Sequence, residues 1–300
     1  MTVAAPADGA VPPVESGSPR HLVWLYTPRV ARDDISALLT LESEIVSSTR
    51  PDLDHTIAHA RLAWWQEEAG HLALGRPRHP LGRRLAATFA AAALSPPDLR
   101  GLVEVARFDL AGTAFESQAE VDDYLSGWSQ GLYRNLSLLL CPEGAARADV
   151  ERFVTSAGAA VRDIELVARF ASDARLGRVH AALSRGSPAD TAADIASAHP
   201  SWQAQPWAAA QSKALAERLH SRRAALARAA ATLPGPWRAP LRAALTWCAV
   251  SARLAAGCAA ALPLQYDAGR FDALGATWTA WRAALAATRG RVPRALQEIP

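Results

Sequence analysis

The chain has 300 residues, enough for one large domain or two ordinary ones, and half of them are hydrophobic. Its formal charge is only +3, and its arginines form no basic stripe with interleaved aromatics, which argues against a nucleic-acid-binding protein. No apolar run is long and charge-free enough to predict a transmembrane helix. The three cysteines, Cys141, Cys248 and Cys258, form no Cys-x-x-Cys pair, which predicts free thiols in a reducing cytosol.

Residues 1–19 are rich in Ala, Pro, Gly and Ser and contain no apolar segment, so we interpret them as a disordered leader and not as a signal peptide. Apolar residues at helical spacing then predict a helix that begins at Pro28 and ends at Ser48. The next predicted helix runs from Pro51 to Gly75. Its apolar stripe consists of Leu53, Ile57, Ala60 and Trp64.

Beside that stripe, Arg61, Trp64, Trp65 and Glu68 share a neighbouring face at i, i+3, i+4 and i+7, and His79-Pro80 closes the following loop. Two interpretations stay open. The face could be the surface of a half-buried helix on which the Arg61 stem lies over Trp65 in a cation–π contact. It could equally be the wall of a ligand pocket.

Further helices are predicted in chain order from their starts at Pro80, Ser95-Pro96, Ser117 with Glu120, the turn at 141–144, Ser187-Pro188, Pro206 and Pro240. The last predicted helix carries Phe271, Leu274, Trp278, Trp281 and Leu285 on one face. No segment shows the alternating β-branched pattern of a strand. The prediction is therefore an all-α, single-domain bundle of about ten helices over residues 20–290, followed by a tail at 291–300.

The order of these landmarks resembles the squalene/phytoene synthase family, the head-to-head prenyltransferases with an all-α isoprenoid-synthase fold. The shared features are Arg61-Leu62-x-Trp64-Trp65-x-Glu67-Glu68, His79-Pro80, the helix of Tyr124, Gly158-x-Ala160, and Asp173-Ala174-x-x-Gly177-Arg178-Val179-His180, where the family often ends in tyrosine. The recognisable motifs all lie before residue 181. The resemblance implies an isoprenoid or prenyl diphosphate ligand.

The resemblance also implies a magnesium site, because carboxylates of two Asp-x-x-x-Asp motifs hold the metal that neutralises the leaving diphosphate. The first motif is expected near 44–50, where this chain has no aspartate. The second falls on Arg169 and Asp173, with Glu165 where the family tends to have asparagine. An arginine at a metal-ligand position opposes magnesium, although it could meet a phosphate. Alternatively, Glu165 and Arg169 form an ordinary i, i+4 ion pair.

Two other clusters have weaker functional interpretations. His55 and His59 stand at i, i+4 with Asp52 one turn earlier, a spacing compatible with zinc, but an exposed polar face is the commoner explanation. Four arginines surround His79, namely Arg76, Arg78, Arg83 and Arg84. They could meet a diphosphate or an acidic lipid surface, but a solvated basic loop is the favoured interpretation.

The resemblance is closest to a divergent branch that keeps the Arg-Leu-x-Trp-Trp helix but lacks both aspartate motifs, a branch that includes an assembly factor for respiratory complex I. Three hypotheses follow. The first is a cytoplasmic protein without magnesium-dependent activity, which binds an isoprenoid or acts in assembly with a protein partner, with at most peripheral membrane contact. The second is an active, magnesium-dependent prenyltransferase, and the third is an interaction module that binds no ligand. We assign no catalytic residue or metal ligand. The pocket candidates are Arg61, Trp64, Trp65, Glu68, His79, Tyr124, Glu165, Arg169 and Asp173.

Overall fold

The computed structural model describes residues 14–112, 115, 117–141, 147–175, 178, 206–261 and 273–297. Within these ranges the chain has no β-strand, and ten of its α-helices have seven or more residues, which confirms the all-α prediction. The α-helices are α1 Pro19–Tyr26, α2 Arg32–Val46, α3 His55–Ala73, α4 Pro80–Ala91, α5 Arg100–Ala111, α6 Gln118–Trp128, α7 Asn135–Leu140, α8 Arg147–Ala168, α9 Phe170–Arg175, α10 Pro206–Thr232, α11 Gly235–Arg238, α12 Arg242–Ala260 and α13 Ala273–Thr288.

Local sequence signals fix several helix starts. Pro80 is the first residue of α4, where a missing N–H costs nothing, and Pro206 begins α10. Ser117 caps α6 by accepting a hydrogen bond from the backbone N–H of Glu120, as the capping-box pattern predicts. By contrast, α3 begins at His55 and not at Pro51, because the Asp54 carboxylate caps its first turn.

The buried face of α3 is not the one that the sequence pattern favoured. Ile57 and Trp64 of the predicted stripe are 52% and 41% exposed. The buried stripe consists of Ala58, Leu62, Trp65, Ala69 and Leu72. Both stripes have helical spacing and apolar residues, so periodicity alone cannot decide between them. Packing against α5 and against the turn that follows α2 decides which one is buried.

The centre of the bundle lies around α8 and α12. Helix α8 packs against α6, α10 and α12, and the largest fully buried side chains in this region include Trp128, Tyr133 and Trp247. Of the helices that the structure describes, α12 alone is long and apolar enough to cross a membrane, which the sequence analysis did not anticipate. Because 67% of its apolar window is buried inside the bundle, α12 has the character of a core helix.

Helices α5 and α6 cross at two glycines. A Cβ atom on Gly101 would lie 2.4 Å from the carbonyl oxygen of Gly127, so this contact between backbones requires a residue without a side chain. After the crossing, α6 continues into a π-helical turn, Ser129–Arg134, before α7. A Cβ on Gly158 of α8 would clash with Ser129 at the start of this turn. Small residues therefore set the distances around the centre of the bundle.

Helix α13 presents its small residues inward and its large residues outward. The buried side chains are Ala276, Ala280, Ala283, Ala284 and Ala287. Leu274, Trp278 and Trp281 of the predicted apolar face are 86%, 58% and 45% exposed. Phe271 of the same predicted face lies outside the described residues. The alanine face lets α13 pack closely on α12, and the indoles stay at the surface.

Both ends of the described chain take part in the bundle. Helix α1 begins at Pro19, the last residue of the predicted leader, and Ser18 caps it. In the predicted tail, a 3₁₀ turn at Arg294–Leu296 buries Leu296. The predicted turn at 141–144, apart from Cys141, and the predicted helix at Ser187-Pro188 lie outside the described residues.

Candidate functional site

An ion pair between the half-buried Arg20 and the buried Glu42 joins α1 to α2. The Arg20 guanidinium donates to both carboxylate oxygens of Glu42, at 2.8 and 2.7 Å. The same carboxylate accepts a hydrogen bond from the indole N–H of Trp128 at 3.3 Å. Glu42 is 4% exposed, and it lies in the apolar helix face of Leu38 and Ile45. A charged group in such a place must be paired, and Arg20 supplies the partner.

A second arginine and a second carboxylate continue this arrangement on α8. Glu165 lies 3.5 Å from Arg20 and 3.6 Å from Arg162, and it accepts a hydrogen bond from the Trp247 indole at 3.0 Å. Arg162 donates to the Tyr124 hydroxyl at 2.8 Å. The Tyr124 hydroxyl in turn donates to Asp109 at 3.0 Å, so that polar groups of six helices, α1, α2, α5, α6, α8 and α12, meet here.

Aromatic rings enclose the two guanidinium groups. Arg20 lies over Trp128 and Trp247, at 5.8 and 5.5 Å from the ring centres. Arg162 lies over Tyr124 and Trp128, at 5.6 and 5.5 Å. Such contacts stabilise a buried cation by about 1–2 kcal/mol each. We refer to this group as the central network; its members are Arg20, Glu42, Tyr124, Trp128, Arg162, Glu165 and Trp247.

Charge pairing in the central network overcomes the effect of burial. Burial alone would lower the pKa of Arg20, but Glu165 and Glu42 raise it above its ordinary value. Burial alone would raise the pKa of Glu42, but the Arg20 charge and its hydrogen bonds lower it overall. Burial raises the pKa of Tyr124 well above its ordinary value. At neutral pH, therefore, Glu42 is ionised, Arg20 is charged and Tyr124 is a neutral donor.

A further buried carboxylate on α8 anchors α10. Asp163 is fully buried and accepts hydrogen bonds from Arg218 and Arg222. Arg222 also lies 3.8 Å from Asp122 of α6. Each α8 carboxylate in this region is thus matched by arginines of other helices or of α8 itself.

The α3 candidates form a separate cluster with the loop that precedes α4. Glu68 is buried and accepts hydrogen bonds from the backbone N–H groups of Arg78 and His79, both at 2.8 Å. The His79 ring lies 5.5 Å from the Trp65 ring and 3.5 Å from the Glu44 carboxylate. This arrangement holds the loop before α4 in place.

Arg61 and Trp64 stand at the exposed border of that cluster. Arg61 donates to the Ser47 hydroxyl at 3.0 Å and is exposed, so its side chain lies at the surface of α3 and not in the bundle interior. The Trp64 ring packs edge-on against Trp65, with 4.8 Å between ring centres. Behind them, a cavity of about 10 Å³ is lined by Trp65, Glu68 and His79 among others. It has room for about one water molecule and not for an isoprenoid chain.

The remaining two candidates lie where α8 meets α9. Arg169 is exposed and pairs with the buried Asp173 at 3.4 Å. The expected ion pair between Glu165 and Arg169 does not form, because Glu165 turns inward to Arg20 and Arg162. Gly177 and His180 of the same motif lie outside the described residues. The roles of all nine candidates in ligand binding stay predictions.

The described residues do not fit a magnesium site of the family type. Within the described ranges, no three of His, Cys, Asp and Glu come together in a way that could hold a metal ion. The α2 carboxylate in the central network is Glu42, which lies before the stretch 44–50 in which the first motif was expected. Arg20 occupies the position beside Glu42 where a cation would bind.

Other proposed clusters are also paired or exposed. In the basic loop region, Arg84 pairs with Asp33 and Asp34, and Arg78 lies 3.8 Å from Glu67. This pairing agrees with a solvated loop more than with a phosphate site. The rings of His55 and His59 are 4.8 Å apart on the exposed surface of α3.

Sequence reasoning missed Arg20, Glu42, Trp128, Arg162 and Trp247. One signal was present for Glu42, because it occupies the same helix face as the apolar residues Leu38 and Ile45. A charge within an apolar stripe indicates a buried, paired group. No local signal linked it to Arg20, 22 residues earlier, or to Arg162, on another helix.

Comparison with known proteins identifies the class. A family model described as squalene/phytoene synthase matches residues 14–282. The chain therefore belongs to the squalene/phytoene synthase family. Among solved structures, it is similar to a squalene synthase, HpnC from Alicyclobacillus acidocaldarius, with a TM-score of 0.58 at 18% sequence identity, over 79% of this chain and 86% of that chain. At this identity the similarity shows the shared fold alone. No curated protein matches the sequence.

Proposed function

We propose that this protein is a family member that does not catalyse magnesium-dependent condensation of prenyl diphosphates, and that it instead binds an isoprenoid-like ligand or acts in an assembly role. The observation that carries the proposal is the pairing of Arg20 with Glu42 in the centre of the bundle. A carboxylate that already has a bidentate guanidinium partner has little remaining affinity for a divalent cation.

Charge matching extends the argument to α8. Two guanidinium groups, Arg20 and Arg162, face two carboxylates, Glu42 and Glu165. Ionisation of a prenyl diphosphate releases an anion that several carboxylate-held metal ions must neutralise. A site whose carboxylates are already neutralised would have to break these buried pairs first, at a cost of about 3–5 kcal/mol each.

An isoprenoid-like ligand is consistent with membership of a family that acts on isoprenoid diphosphates. Its apolar chain can bind without a metal, since apolar surface alone drives entry into a helical bundle. A cytoplasmic location and a protein partner are part of the same proposal.

The second candidate is an active prenyltransferase with rearranged ligands, and the same arginines are the observation in its favour. A guanidinium can bind a phosphate group directly through two parallel hydrogen bonds. If Arg20 and Arg162 release Glu42 and Glu165 and bind a diphosphate instead, the two guanidinium groups would neutralise its charge without magnesium.

The test is incubation of the purified protein with farnesyl or geranylgeranyl diphosphate and magnesium or manganese, followed by extraction and mass analysis. We expect no squalene, no phytoene and no metal-dependent release of diphosphate. Arg169→Asp alone should not restore activity, because Glu42 keeps its arginine partner. In parallel, thermal unfolding with farnesyl diphosphate should show the same stabilisation with magnesium and with EDTA. A new hydrocarbon formed together with diphosphate would favour the second candidate.

A further inference from the structure

The outward face of α13 exposes several large apolar side chains. Trp278 and Trp281 pack against each other with ring centres 4.9 Å apart, and they are 58% and 45% exposed. Leu274 lies on the same stripe and is 86% exposed. Solvent-exposed indoles side by side are rare on a surface that contacts only water. Such a face is typical of a surface that contacts a partner less polar than water.

Positive charge borders this face and continues beyond it. Arg282 and Arg289 lie on one edge of the stripe, seven residues apart, and Arg291 and Arg294 follow. All four side chains are exposed. Residues 273–297 contain no aspartate, glutamate or lysine, so this segment carries four positive charges and no negative one.

We propose that α13 is a membrane-contact helix, which lies in the interfacial layer of a bilayer that contains anionic lipids. Trp side chains favour that layer because the ring is apolar and its N–H can reach the headgroups. Arginines along one edge of an amphipathic helix attract anionic headgroups, at about 1 kcal/mol each. The inward alanine face keeps α13 attached to α12, so the helix docks without leaving the bundle.

The geometry suits a helix that lies flat. Helix α13 has 16 residues, which gives a length of about 24 Å at 1.5 Å per residue. The stripe from Leu274 to Leu285 covers most of that length. An apolar stripe bordered by arginines on one side and by Thr277 and Thr288 on the other matches an interfacial helix and not a spanning one.

The test is co-sedimentation of the full chain with vesicles of phosphatidylcholine or of an equimolar mixture with phosphatidylglycerol. We expect binding to the mixed vesicles only, and weaker binding as salt is raised. The double substitution Trp278→Ser and Trp281→Ser should reduce the affinity by about tenfold or more, since two indoles lose their apolar contact. The matched control is Trp64→Ser, which removes an indole of 41% exposure on α3 and should leave the affinity unchanged.

Charge is tested with a second pair of variants. Arg282→Gln with Arg289→Gln should weaken binding to mixed vesicles by about thirtyfold. Arg76→Gln with Arg83→Gln removes two charges near His79, one in the loop before α4 and one in the first turn of α4, and should have no effect. Loss of binding in the loop variant but not in the α13 variants would overturn the proposal. The proposal would also be overturned if the protein bound no vesicles but self-associated, and if the Trp278→Ser, Trp281→Ser variant abolished the self-association. The α13 face would then contact a second copy of the chain.

Discussion

The guanidinium of Arg20 and the carboxylate of Glu42 form two hydrogen bonds between the first two helices of the bundle, at 2.8 and 2.7 Å. Both side chains also contact α6, through the Trp128 ring and its N–H group. Because α1 otherwise packs mainly on α12, this pair connects α1 to α2 and, through Trp128, to α6. Its loss should therefore affect global stability and not only a local contact.

Glu42→Gln should destabilise the protein by about 1.5–3 kcal/mol at neutral pH, because the partly buried Arg20 guanidinium loses a charged hydrogen-bond partner. The native pKa of Glu42 lies below its ordinary value of 4.5. In the wild type, the ion pair therefore makes its full contribution to the free energy of unfolding at pH values above 4.5. Its contribution is lost as pH falls through the native pKa, since the unfolded chain then binds more protons. Urea unfolding between neutral pH and about pH 3 should show a flatter acid dependence in Glu42→Gln than in the wild type. Glu104→Gln, on the surface of α5, is the control, and an equal acid slope in all three proteins would contradict this account.

Glu67 and Glu68 are neighbours with different expected effects. Glu68→Ala removes the acceptor of two backbone N–H groups, those of Arg78 and His79, and should cost about 2–4 kcal/mol. Glu67→Ala changes an exposed side chain and should alter the free energy of unfolding by less than about 0.5 kcal/mol. Urea unfolding measures both values, and hydrogen exchange at the two amides should become faster only in Glu68→Ala. Equal costs for the two substitutions would show that Glu68 does not hold the loop.

The glycine crossing predicts opposite signs for two Gly→Ala substitutions. Gly101→Ala puts a Cβ 2.4 Å from the Gly127 carbonyl oxygen, so α5 and α6 must separate, at a cost of about 3 kcal/mol or more. Gly70→Ala, in the last turn of α3, meets nothing within 4 Å and should stabilise by about 0.5 kcal/mol. The midpoint temperature of thermal unfolding should therefore fall for the first variant and rise for the second. A neutral Gly101→Ala would mean that the two helices do not cross so closely.

The three cysteines should differ in reactivity. Burial raises the pKa of Cys248 to about 12 and that of Cys258 to about 12, so neither forms an appreciable thiolate at pH 8. Cys141 is half-buried, and burial raises its pKa as well, but solvent reaches it. A disulfide-exchange reagent should modify one thiol per native chain slowly and three in urea. Rapid modification of more than one native thiol would contradict this burial pattern.

Sequence reasoning was most successful where the signal is local. The starts at Pro80, Ser117 and Pro206 depend on proline geometry or on a single capping side chain, and each is confirmed. It failed for the faces of α3 and α13, where apolar residues occur on both sides of the helix. There the choice depends on a neighbour's shape: alanines allow close packing on α12, which leaves Trp278 outside.

The residues of the candidate site likewise fall into those that a local motif predicts and those that it does not. Tyr124 and Glu165 were found from their place in a motif, and the structure puts both in the central network. Arg20 and Trp247 contact Glu165 from positions 145 residues before and 82 residues after it. No periodic pattern connects residues at such separations, so only the folded chain brings them together.

The π-helical turn Ser129–Arg134 acts as a one-residue insertion in an otherwise continuous helix. Residues before it, including Tyr124 and Trp128, are therefore rotated by about 100° relative to those after it, compared with an uninterrupted α-helix. The phase change allows one helix to direct Trp128 toward Glu42 and, one turn later, Tyr133 toward the Ala244 carbonyl on α12. Deleting a single residue in this turn would restore regular α-helical winding and remove one of these two contacts. A more regular helix would therefore pack less well against α2 or α12.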